Sequence, residues 1–124
     1  MKRFFILLML CCTLLTACWQ KDIGHSFYPS GKLRTEAVVR NGLLDGPSTM
    51  YYESGGKMSE ANYRAGLLHG RTTSFYESGA KKAEAEYQNG VLHGTSISWN
   101  EDGTQQSRAI FVYGALQNNN SKAD

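Results

Sequence analysis

Past residue 18 this 124-residue sequence has no cysteine; Cys11, Cys12 and Cys18 are the whole supply. A domain built from residue 19 onward therefore has no disulfide to stabilise it. An excess of one charge is missing as well. Once Lys2 and Arg3 are set aside, 11 basic residues face 11 acidic ones, and that balance excludes the clustered positive field of a nucleic-acid footprint. Glycine-free stretches of helical length are also lacking. From Gly24 on, glycine breaks every window of about a dozen residues and no 3.6-residue apolar stripe survives, so helix is excluded in favour of strand.

What is present begins with Lys2 and Arg3, followed by the apolar run Phe4 to Ala17. A charged start, a short apolar stretch and small residues before a break describe a secretory signal peptide. The run is shorter than the ~20 apolar residues that cross a bilayer comfortably. Its end, Leu15-Thr16-Ala17-Cys18, resembles the lipobox of bacterial lipoproteins. That resemblance implies a thioether-linked lipid on Cys18 and cleavage just before it. An ordinary signal peptide with a chance cysteine, or an uncleaved anchor, are the alternatives. Trp19 rather than Asp follows the cysteine, which by the same resemblance implies the outer membrane in a Gram-negative host.

The rest of the chain repeats itself. Tyr28, Tyr52 and Tyr76 are 24 residues apart, as are Gly31, Gly55, Gly79 and Gly103. The same step joins Glu36, Glu60 and Glu84; then Gly42, Gly66, Gly90 and Gly114; and then Leu44, Leu68, Leu92 and Leu116. A fixed period of this size marks a repeat architecture. The chain thus divides into a signal peptide (1–17), a lipidated cysteine with its tether (18–25), four units (26–116) and a solvated tail (117–124).

Each unit holds two strand-like runs, one alternating and one rich in Thr, Ser and aromatics, between glycine-bearing turns. The expected fold is all-β, an elongated antiparallel meander of hairpins with eight short strands. A two-residue turn at Ser54-Gly55 pairs Tyr51 with Met58, and a six-residue loop from Asn41 to Gly46 pairs Glu36 with Tyr51 and Val39 with Ser48. One face then carries Thr35, Ala37, Val39, Met50, Tyr52, Ser59, Ala61, Tyr63, Ser74, Tyr76, Ala83, Ala85 and Tyr87. The other carries Arg34, Glu36, Tyr51, Met58, Glu60, Phe75, Lys82, Glu84, Trp99 and Arg108, with an aromatic row of Phe27, Tyr51, Phe75 and Trp99. The fourth unit departs from the pattern, with Asn100 for Tyr, Arg108 for Glu and the apolar run Ala109 to Val112. Terminal repeats are atypical because they cap a stack.

Tyr-x-x-Gly, the Glu that follows and Asn-Gly-x-Leu-His-Gly resemble the MORN (membrane occupation and recognition nexus) repeat. They are most similar to the bacterial variant often catalogued as an antitoxin repeat, over about residues 24 to 116. The resemblance implies an elongated sheet used for binding or scaffolding, with no catalytic residues and no cofactor. Leu43, Leu67 and Val91 stand where similar repeats often have Lys, so a basic row able to touch anionic lipid is missing.

Three groups of residues carry types that could do chemistry. His69 and His93 share one repeat position, with Asp45 as counterpart. Equivalent positions lie ~9–10 Å apart, two strand spacings, against zinc–nitrogen bonds of ~2 Å; a loop residue bonding its own turn is expected, and no metal. Glu36, Glu60 and Glu84 are similarly spaced, in the range of inverting glycosidases, but three equivalent carboxylates more often mark a repeated strand position. Ser54 to Ser59 echoes a phosphate loop without its first glycine or its Lys-Ser/Thr pair. The aromatic row suits stacking on sugars or a partner's side chains, as well as plain cross-strand packing. The expected function is a lipid-anchored envelope protein, not an enzyme, whose sheet binds a protein or cell-wall partner. The alternative is an antitoxin or immunity protein acting at the membrane. The face with Tyr51, Phe75 and Trp99 beside Glu36, Glu60 and Glu84 is the expected partner surface. The opposite face, covered by Leu44, Leu68 and Leu92, is the structural one.

Overall fold

The computed structural model describes residues 21–119. The expected signal-peptide helix and the expected lipidation at Cys18 fall outside the described residues. Ten strands form one antiparallel sheet: β1 (Lys21–Phe27), β2 (Leu33–Arg40), β3 (Leu43–Tyr51), β4 (Lys57–Arg64), β5 (Leu67–Leu68), β6 (Gly70–Phe75), β7 (Lys81–Gln88), β8 (Val91–Trp99), β9 (Gln105–Val112) and β10 (Ala115–Asn119). Neighbours in sequence are neighbours in space, except that β5 and β6 both pair with β4. The all-β meander is as expected, while the described residues hold ten strands rather than the expected eight. β1 starts inside the segment read as a tether, and β10 runs into the segment read as a tail.

Both turn types differ from the expected ones. At Asn41-Gly42, Ala65-Gly66, Asn89-Gly90 and Tyr113-Gly114 both residues have positive φ, from 48° to 83°. This is the two-residue type I′ turn, whose twist matches that of the strands it joins. Arg40 therefore faces Leu43, and the expected six-residue loop is instead a tight turn followed by a bulge opposite Val38. Across that bulge Glu36 faces Thr49 rather than Tyr51, and Ala37 faces Ser48. The shift is two residues, so the paired side chains of β2 from Thr35 to Val39 keep their faces.

At the other end Gly55 donates to the Tyr52 carbonyl (2.9 Å) and Tyr52 donates to the Gly56 carbonyl (2.8 Å). That closes a three-residue loop, Glu53-Ser54-Gly55, with Gly55 at φ 99° as its bulge residue. The bulge corrects the lysines. Lys57 and Lys81 face Tyr51 and Phe75 directly, whereas Lys82, expected on the charged face, holds its ammonium 5.5 Å from the Tyr76 ring. Arg34 does the same over Tyr28 at 5.8 Å.

Little of this sheet is buried. Ala37 (6%) and Val38 (8%) are the buried apolar residues among those described, and Val38 lies against Gly46, leaving 3.0 Å between its Cβ and where a Gly46 side chain would begin. Two hydrogen-bond ladders join the units instead. Tyr28, Tyr52 and Tyr76 donate their hydroxyls to the carbonyls of Tyr51, Phe75 and Trp99, at 2.7, 2.7 and 2.9 Å. Along the opposite edge the amides of Gly66, Gly90 and Gly114 donate to the carbonyls of Leu44, Leu68 and Leu92, at 2.7, 2.7 and 2.8 Å. Each bond contributes on the order of 1 kcal/mol net.

Candidate binding face

Pairing across the sheet places residues on faces. His25, Glu36, Thr49, Glu60, Thr73, Glu84, Ile97 and Arg108 stand opposite one another in one continuous row. The three expected glutamates thus share a face, one per unit, with a threonine between each pair. Thr35, Met50, Ser59, Ser74, Ala83, Ser98 and Ser107 form the matching row of the small-residue face. Leu44, Leu68 and Leu92 pair with Val39, Tyr63 and Tyr87, so they do belong to that second face.

Each of the three glutamates meets a basic side chain of its own chain. His25 Nε2 lies 3.6 Å from Glu36. Lys57 donates to Glu60, and Glu84 receives Lys81 at 3.1 Å and Arg71 Nε at 3.4 Å. The hydrogen bond to Glu60, then its charge, raise the Lys57 ammonium above its usual range. Glu60 and Glu84 are thus local ion pairs rather than members of an acidic stripe, and the spacing of the three glutamates follows the repeat. Such exposed pairs hold side chains in place more than they stabilise the fold.

Tyr51, Phe75 and Trp99 are half-buried, and Lys81 sits 5.5 Å from the Trp99 ring. Phe27, the first of the row, is 60% exposed, on the edge strand of the described sheet. Neither Trp99 nor Tyr63 is buried; both are intermediate. The tyrosine hydroxyl ladder is the feature that sequence reasoning missed. Its signal was the change from Tyr to Asn100 at the same position of the fourth unit.

His69 and His93 line one shallow depression with Gly70, Arg71, Glu86, Tyr87 and Gln88. His93 Nδ1 accepts the amide of Tyr113 at 3.2 Å, in the next unit's turn rather than its own. Asp45, their counterpart, pairs with Arg40 at 3.4 Å. No group of three or more His, Cys, Asp or Glu among the described residues is arranged to hold a metal ion.

No curated protein matches this chain. A solved structure similar to it is that of accessory secretory protein 1, 2 and 3 from Streptococcus pneumoniae, at 17% identity and a TM-score of 0.43. The match covers 75% of this chain and 18% of that one. Residues 44–65 and 68–89 match the family model of the MORN repeat variant. Each match starts at a leucine whose carbonyl accepts the next turn's glycine, and each stops one residue before that glycine. The two central units of the sheet are therefore similar to MORN-variant repeats.

Proposed function

We propose that this chain is a lipid-anchored protein of the cell envelope whose repeat sheet binds a protein or cell-wall partner, without catalysis. The observation that carries the binding role is the regular face on which Tyr51, Phe75 and Trp99 run beside the paired glutamates Glu36, Glu60 and Glu84. It offers aromatic area and polar handles at one fixed step, and interface hot spots are enriched in Trp and Tyr. Anchoring at Cys18 is supported by the apolar run ending in Leu-Thr-Ala-Cys. In a Gram-negative host, Trp19 after the cysteine supports the outer membrane as the destination.

Two measurements test the two halves. Labelled palmitate should enter the wild type and not Cys18→Ser, which accumulates as precursor; equal labelling would refute the anchor. Cross-linking in membranes should recover a partner with wild type and far less with Trp99→Ala. Undiminished recovery would remove this face from the account.

A further inference from the structure

Resting on the anchor reading, we infer that the first hairpin, β1–β2, seats against the lipid headgroup layer. The sheet then stands upright on it, with β10 farthest from the membrane. Three observations lead there. The first is length. Lys21 opens β1, three residues after Cys18, and three residues reach no more than ~10 Å. A lipid on Cys18 therefore holds the edge of the sheet at the bilayer surface.

The second is what that edge exposes. Ile23 and Phe27 are 53% and 60% exposed and flank His25, whose ring stacks with that of Phe27. In the inner units the aromatic equivalents of Phe27 are half-covered by neighbouring strands. At β1 the described residues supply no such neighbour, and the tether brings the bilayer to that place.

The third is charge. Residues 21–40 carry Lys21, Lys32, Arg34 and Arg40 against Asp22 and Glu36, whereas residues 41–124 carry seven basic and nine acidic residues. A balanced chain is thus divided into a positive first hairpin and a negative remainder. An anionic headgroup layer attracts the former and repels the latter. With eight strand-to-strand steps between β1 and β10 at ~4.8 Å, β10 stands ~38 Å from β1.

The test uses the full lipidated chain in vesicles of phosphatidylethanolamine and phosphatidylglycerol with a headgroup-linked quencher. The lipid occupies Cys18, so Phe27→Cys and Leu116→Cys each give one labelling site for a fluorophore. Quenching several-fold stronger at 27 than at 116 is expected, and replacing phosphatidylglycerol by phosphatidylcholine should narrow the difference. Equal quenching at both sites means the sheet lies flat and overturns the inference. A vesicle-bound protein whose label at 27 escapes the quencher also overturns it, because something other than lipid covers β1. Failure to float with vesicles, with no palmitate incorporated, refutes the anchor itself and the inference with it.

Discussion

The residues that hold the units together are the tyrosines whose hydroxyls reach a carbonyl 23 positions along. Tyr52→Phe should cost about 1 kcal/mol, since it leaves the Phe75 carbonyl without its side-chain donor. Tyr87→Phe, which removes a hydroxyl with no such bond among the described residues, should be near neutral. Urea denaturation of a soluble chain beginning at Trp19 reads both, and equal effects would show that the hydroxyl ladder carries no stability. Asp102 makes a prediction in pH. The Thr104 hydroxyl, then its amide, hold the Asp102 carboxyl below its usual range. A lowered folded pKa gives stability that is present above the ordinary value of 3.8 and is lost as pH falls through the folded value. Asp102→Asn should flatten the acid limb of melting temperature against pH by lowering stability above that ordinary value, slightly because the group is exposed. It should converge with wild type in acid.

At the scale of the element, the turns decide the register. Ala65 occupies a left-handed position that Asn fills at 41 and 89, a conformation costly for alanine and easier for asparagine. Ala65→Asn should stabilise by about 0.5–1 kcal/mol. Gly46→Ala should destabilise by more than about 1 kcal/mol, because Gly46 has φ 139° and Val38 Cβ leaves only 3.0 Å. Thermal melts of the two variants should move in opposite directions.

These positions also show what could be read before folding. Glycine punctuation and the Thr, Ser and aromatic runs were enough for an antiparallel meander, and strand parity was enough for the two faces. The loop lengths were not legible. Gly42 and Gly46 look alike in the repeat, yet one belongs to a two-residue turn and the other to a bulge facing Val38. The bulge that moves Lys81 to the aromatic row and Lys82 over Tyr76 depends on how three residues close the loop. The period alone does not specify that. The tyrosine ladder depends on where the next unit's carbonyl lies once the strands twist together, a distance that no single repeat encodes.

Taken together, the described residues form one sheet with few of them buried, in which each unit leans on the next through two ladders. Stability of this kind is a sum of unit and neighbour terms, so far-ultraviolet circular dichroism of the chain from Trp19 should show a β spectrum. In the proposed reading the two faces divide the work. The Ser, Ala and Thr face, which Leu44, Leu68 and Leu92 share through their pairing with Val39, Tyr63 and Tyr87, is the structural side. There Tyr63→Ala should chiefly lower the melting temperature. The glutamate and aromatic side is the one proposed to meet the partner. Trp99 separates these roles well, because its carbonyl holds Tyr76 through the backbone while its ring faces Lys81. The decisive measurement is partner recovery by cross-linking in native membranes, with wild type, Trp99→Ala and Tyr63→Ala compared at matched expression. The account expects Trp99→Ala to lose the partner while keeping the wild-type melting temperature. Recovery undiminished in Trp99→Ala but abolished by a bulky substitution such as Ser74→Tyr on the opposite face would contradict it.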